Sequence, residues 1–473
     1  MRRPGVSSDM IAAALSFARA HAAQYLEDLR TFLRFASVSG PKHYASERTR
    51  CAAWLARHLQ RIGLDDVRLM GDSGAPIVVG RSRRRRRAMH VWLYGHYDVQ
   101  PPGYIRRWRW PPFSAHVESG QLFGRGASDN KGQLLAHVSA AQAFLETSDL
   151  PVNLTCVFEG EEEIGSPGLR RELPRLLSSP VDVVLISDTP MFDDLTPTIA
   201  TALRGSLSLE VRLSAGVKDL HSGLYGGTVR DAAFSAALVS ASLFDPSGRV
   251  AIPGFYDDVP LPSEAVRAQL RTLDSSGRDL LRLTGRTEWG EPSFTPRERV
   301  SLRPALTLTG IAAGHTSEGT MAVIPSTAIV KLNARLVSPQ APDTIERLVR
   351  LHVADVVPRG IEWSVVRQAA AHPVSITLPE RVLNAAATAS RQAFGRTPVF
   401  LPSGGTIPVV EQLQRQGIPA LLYGLARPND RAHGVDERFS ISHYARCTAA
   451  SVVLLAELAR GAAGSSATYA EAS

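Results

Sequence analysis

The chain has 473 residues, 44% hydrophobic and 21% charged, with a formal net charge of +8; its length predicts two domains, and its composition excludes a disordered chain. Cys51, Cys156 and Cys447 stand far apart without a CxxC pair, so neither a disulfide framework nor a thiolate metal site is indicated, and any metal must use His, Asp and Glu. No apolar run approaches the roughly 20 residues of a membrane helix and no signal-like segment opens the chain, which makes a soluble cytoplasmic protein without a membrane partner the expectation.

In chain order, apolar positions at helical spacing predict one or two helices over residues 9–35 and another over 47–62. Strands follow at 66–70, 77–80 and 89–94, then a helix at 131–146, a strand at 152–158, a helix at 167–177 and a strand at 181–186. This alternation predicts an α/β fold with a mostly parallel sheet covered by helices on both faces. Near Leu203 the pattern changes. SLSLEVRLS and TAIVKLNARLV alternate as half-exposed antiparallel strands do, with helical segments at 231–243 and 345–354. A smaller α+β domain, 205–373, is therefore expected as an insertion between two parts of the first, 1–204 and 374–473. In the returning part, 378–394 reads as a helix, LPSGGTIPVV as a glycine loop opening another, IPALLYG as a last core strand, and 461–473 as a frayed tail.

The run RSRRRRR at 81–87 lies between two strand-like segments and lacks interleaved aromatics. It reads as the solvated tip of a connection, and no nucleic-acid partner is expected.

Candidate chemistry gathers after the strands. His96 and Asp98 follow the segment 89–94, and on a continuing strand they would project to one face, where an imidazole binds a divalent ion and a carboxylate orients it. Asp129, the acids of FEGEEEIGS, Asp188 and His433 occupy comparable settings, and ligands of such sheets bind beyond the strands' carboxyl ends. A two-metal site needs a shared ligand, terminal ligands for each ion and a free carboxylate to take a proton. His96 and Asp188 for one ion, Glu163 and His433 for the other, Asp129 as bridge and Glu162 as base fill that inventory. Taken singly, Asp129 is as readily a cap for the helix at Lys131 and the other acids surface charge, and spacing does not assign Glu162 and Glu163 their separate roles. There is no HExxH, which excludes the helical zinc-protease arrangement.

GHYDVQP, LFGRGASDNKG, EGEEEIGS, ISDTP, DLHSGLYGG and AHGVDERF, in this order, resemble the zinc metallopeptidase family of carnosinase-like cytosolic dipeptidases, aminoacylases and glutamate carboxypeptidases, over residues 33–458. HYDVQP, HSGLYGG and VIPS point to the dipeptidase branch. The resemblance implies a binuclear zinc exopeptidase fold with His96, Asp129, Glu163, Asp188 and His433 as ligands of two divalent ions, zinc first, with manganese or cobalt as alternatives. It implies Asp129 as bridge, Asp98 orienting His96, and Glu162 as general base. It also implies that the inserted domain is a lid and the surface of a homodimer, that His221 serves the partner subunit's site, and that Arg335 and Thr406 bind the substrate. The substrate class it implies is a dipeptide or short amino-acid conjugate. A deacylase of N-acyl or N-carbamoyl amino acids on the same site is the alternative, and a non-catalytic binding protein a remote one. Two departures bear on the substrate: Met321-Ala322 stand where the dipeptidase pattern has Lys-Thr, and Pro402-Ser403 stand where it has Arg-Glu before the glycine pair.

Overall fold

The computed structural model describes residues 6–71, 74–272, 281, 285 and 289–464. The chain forms two compact units, one made of the residues up to Thr201 with Ile376–Leu401 and the residues from Ile407 on, the other of Ala202–Ser375 with Pro402–Thr406.

The first unit is built on a sheet whose four central strands, Asn153–Glu159, His90–His96, Val183–Ile186 and Ala420–Gly424, run parallel. Antiparallel strands flank this centre: Asp66–Met70 and Ile77–Arg81 on one side, Thr198–Leu203 on the other. The central strands are continuous apolar runs because both faces are covered. Val91 and Leu93 join the main core cluster, while the intervening Trp92 and Tyr94 are buried on the opposite face. The helix Lys131–Thr147 has no polar stripe; almost every residue to Phe144 is buried, because it is enclosed by the helices Ser8–Ala20, Ala22–Leu33 and Ile441–Gly464. On the other face Pro408–Arg415 packs against Ala420–Gly424, with Pro167–Leu176 beside it.

The segment LPSGGTIPVV differs from its expected reading, since its first residues complete the strand Val399–Ser403 before the helix Pro408–Arg415 begins. The C-terminal helix runs to Gly464, so residues 461–464 are helical; the rest of the tail lies outside the described residues. The arginine run behaves as a loop tip, with Arg83, Arg84, Arg86 and Arg87 exposed. No helix among the described residues is long and apolar enough to cross a membrane.

The second unit has its own core. Four antiparallel strands in the order Ala305–Ala313, Thr327–Leu336, Gly205–Ser214 and Glu362–Ala371 are packed on one face by the helices Ala232–Ser242 and Pro342–Val356. Leu207, Leu209, Val211 and Leu213 alternate into this core, as a half-buried strand requires.

Candidate metal centre

Three adjacent parallel strands end at one edge of the first unit's sheet, so the residues that follow them meet. His96 is the last residue of its strand, Glu162 and Glu163 open the short turn Glu162–Ile164 after Asn153–Glu159, and Asp188 comes two residues after Val183–Ile186. The glycine loop before Lys131–Thr147 supplies Asp129, and the loop after Ala420–Gly424 supplies His433.

The strand does not continue through Asp98 as the sequence pattern suggested. Tyr97 N–H still bonds Glu159 O at 2.8 Å, but Val99 N–H turns away to Ser37 O at 3.0 Å, pulling the chain toward Val38. Asp98 nevertheless stays beside His96, its Oδ1 3.4 Å from Nδ1, while its own carbonyl oxygen is nearer that nitrogen at 3.1 Å. The fully buried Asp98 carboxylate also receives the Ser39 hydroxyl and the backbone N–H groups of Glu162, at 3.3 Å, and Glu163, at 3.1 Å. One side chain thus faces the imidazole and anchors the acidic turn.

Asp129 occupies the middle. Its Oδ1 is 3.1 Å from His96 Nε2 and its Oδ2 is 2.9 Å from His433 Nε2, so the two oxygens of one carboxylate serve two imidazoles. Asp188 Oδ1 lies 3.6 Å from His96 Nε2, and Glu163 Oε1 lies 3.3 Å from His433 Nε2. Asp129 does not cap the helix: the cap position belongs to Asn130, whose own side chain makes no cap bond. His433 adopts a left-handed backbone, φ 60°, an unfavourable conformation for a non-glycine residue that the surrounding bonds must hold.

The donor set fits divalent cations. Nitrogen and oxygen ligands bound at about 2.0 to 2.2 Å around a tetrahedral ion stand roughly 3 to 4 Å apart, and the separations above fall in that range. One ligand atom each from His96, Asp129 and Glu163 lie within 4.8 Å of one another. Glu163 Oε1 is buried, yet it has no hydrogen-bond partner among the described residues despite its ion-pair distance to His433. No described lysine or arginine pairs with the half-buried carboxylates of Asp129, Glu162, Glu163 and Asp188, and carboxylates crowded together away from water are costly unless a cation faces them.

The proton affinities express the same crowding. Burial pushes the Glu162 carboxyl well above the usual range, with the charges of Asp188, Glu163 and Asp98 adding to it against the pull of His96. Burial and the Asp129 charge push Asp188 up to about 6. Burial opposes the Asp129 charge too, but the bonds from His433 and His96 outweigh it and hold this carboxyl well below its ordinary range. The Asp129 and Glu163 carboxylates push His433 up to about 11. Protons on the imidazoles here compensate charge that bound cations would compensate in their place.

Several supporting residues were not singled out from the sequence, although each lies inside a motif that was. Asn130 Nδ2 donates to Asp188 Oδ1 at 3.0 Å and to Ser187 O at 2.6 Å. Gln100 Nε2 donates to Glu163 Oε2 at 2.8 Å. Glu437, four residues past His433, receives bonds from the loop that carries Asp129.

The remaining candidates lie in the second unit. His221 is exposed, and its Nδ1 accepts Gly223 N–H at 3.0 Å, capping the turn Ser222–Tyr225. The adjacent Ser222 N–H bonds the carbonyl of Ala322 at 3.0 Å. Arg335 Nη1 donates to Thr406 Oγ1 at 2.8 Å, and that hydroxyl donates to Arg204 O at 2.6 Å. Arg335 and Thr406, 71 positions apart, are thus brought together, while the Ser403 hydroxyl accepts the nearby Gly405 N–H at 3.3 Å.

The model of peptidase family M20/M25/M40 matches residues 92–457. The chain belongs to this peptidase family. It is a metallopeptidase, and its relatives cover most of its length. It is 32% identical over 383 residues to the Cys-Gly metallodipeptidase dug1 of Schizosaccharomyces pombe, covering 78% of this chain and 80% of that protein. It is 30% identical over 384 residues to the Beta-Ala-His dipeptidase of Homo sapiens, covering 78% and 75%. Among solved structures, human carnosine dipeptidase 1 superposes with a TM-score of 0.86 at 26% identity, over 95% of this chain and 99% of that one.

Proposed function

We propose that this metallopeptidase is a cytoplasmic dipeptidase that cleaves dipeptides or short amino-acid conjugates bearing a free carboxylate, using two divalent ions, zinc first among them. The observation that carries the reading is Asp129: its two oxygens point to His96 and His433, each of which has a second carboxylate beside it, Asp188 and Glu163. One ion is assigned to His96, Asp188 and Asp129, the other to Asp129, Glu163 and His433. When bound, such ions polarise the scissile carbonyl and acidify water.

Glu162 takes the proton from the attacking water and returns it to the leaving amine. His221 of the partner subunit polarises the carbonyl, and Arg335 with Thr406 holds the substrate carboxylate. The dimer forms through the second unit, where Phe234 and Leu238 on the helix Ala232–Ser242 and Ile311 on the edge strand leave large apolar side chains exposed. The three free cysteines, all buried, are compatible with the reducing cytoplasm.

The test is product analysis after metal removal and stepwise addition of zinc, manganese or cobalt, over a panel of dipeptides and N-acyl and N-carbamoyl amino acids. Metal-dependent release of two amino acids from dipeptides is expected. Turnover confined to the N-acyl or N-carbamoyl compounds would replace the dipeptidase reading with the deacylase one.

A further inference from the structure

We infer that Glu437, paired with Arg125, is a positioning residue that fixes the spacing between Asp129 and His433, and so governs the His433 half of the metal centre. The inference rests on the two-ion reading above. Glu437 is fully buried, and its carboxylate accepts three N–H groups of one loop: Gly126 at 2.9 Å on Oε2, and Ser128 at 2.9 Å and Asp129 at 3.0 Å on Oε1. Its Oε2 also takes Arg125 Nη1 at 2.8 Å. A carboxylate that satisfies three backbone donors and a guanidinium defines the loop's path, because leaving any of those buried donors unbonded is costly.

The connection is reciprocal. Arg125 sits in the Asp129 loop, is 2% exposed at its side chain, and sends Nη2 back to the carbonyl of His433 at 3.2 Å. Its guanidinium lies 5.3 Å from the centre of the Trp108 ring, which closes it from above. The segment carrying His433 therefore clamps the backbone of the Asp129 loop, and that loop clamps the backbone at His433. Neither Arg125 nor Glu437 touches the imidazole or carboxylate oxygens that face the ions; the pair acts through the main chain. No comparable tie from Glu437 reaches His96 or Asp188, whose positions come from the sheet and from Asn130.

The test is cobalt(II) titration of the metal-free protein, read by visible absorption and by elemental analysis. The wild type takes two ions. Glu437→Gln keeps the side chain's shape but turns an N–H group toward N–H donors; it should bind the first ion as the wild type does and the second 10- to 100-fold more weakly, the usual effect of altering groups behind metal ligands. Where this variant fails to fold because Arg125 is left as a buried unpaired charge, the double variant Arg125→Met/Glu437→Gln removes both charges and should give the same selective loss. Two ions bound with wild-type affinity by either folded variant, or equal weakening of both, overturns the inference. Hydrogen exchange of the metal-free wild type decides without any variant: the amides of Gly126, Ser128 and Asp129 should be protected, and exchange at open-loop rates refutes the clamp. A wild type that takes only one cobalt ion defeats the two-ion reading by itself, while the exchange result still decides on Glu437.

Discussion

Lowering the pH should destabilise the first unit through buried neutral histidines that do not belong to the metal centre, and His137 allows the size of the effect to be worked out. Its ring is 2% exposed, with Nε2 2.8 Å from Ser187 Oγ and Nδ1 2.8 Å from Ser451 Oγ. Burial alone drives its pKa down from 6.5 to about 3. A neutral ring has one N–H, so one of these serines must give its proton to the ring instead of to its own carbonyl acceptor, Tyr423 O or Cys447 O. The folded pKa is depressed, so the stabilisation is fully present above the unfolded value near 6.5 and is lost as the pH falls toward 3. At roughly 1.4 kcal/mol per pH unit, going from pH 7 to 4.5 should cost about 3 kcal/mol through His137. His58 and His443, each lowered to about 4 chiefly by burial, act in the same direction. The assay is urea unfolding at pH 7 and 4.5 followed by tryptophan fluorescence, comparing the wild type with His137→Gln, which cannot titrate. The variant should start less stable and lose about 3 kcal/mol less between the two pH values. An identical loss in both proteins would refute the reasoning.

Glu162→Gln should retain both metal ions and lose roughly 100- to 10,000-fold in turnover, as expected for a general base; if instead this variant loses an ion while Glu163→Gln retains both, the two roles are exchanged. Inactive His221→Ala chains mixed with inactive Glu162→Gln chains under subunit exchange should recover activity, because one hybrid site receives both intact residues. No recovery with hybrid dimers demonstrably present would place His221's action within its own chain or remove it.

The sheet centre was legible because its strands have both faces covered: His90–His96 and Val183–Ile186 stand out as short, nearly continuous apolar runs. The strands His116–Glu118, Gln121–Phe123 and Arg438–Ser440 were not, since three residues each cannot display a period. In the second unit Ala305–Ala313 was hidden by the irregularity at Gly310, which shifts its register, and Glu362–Ala371 by being a mostly exposed edge strand. Among the candidate ligands, His96, Glu163, Asp188 and His433 could be singled out because each ends or follows a central strand of the sheet, and Asp129 because it closes a glycine loop just before a helix. Glu437 could not, since in VDERF nothing separates it from Asp436, which pairs instead with Arg109 N–H and Arg431. Its importance lies in contacts across 308 to 312 positions, beyond the reach of local spacing.

In the function proposed above, one carboxylate, Asp129, joins two metal sites into one reaction centre. Elemental analysis of purified wild type and Asp129→Ala, both equilibrated with the same buffered zinc and checked for fold by circular dichroism, tests it most directly. Two ions per wild-type chain and no more than one in a folded, inactive Asp129→Ala are predicted; two tightly held ions in that variant would contradict the account.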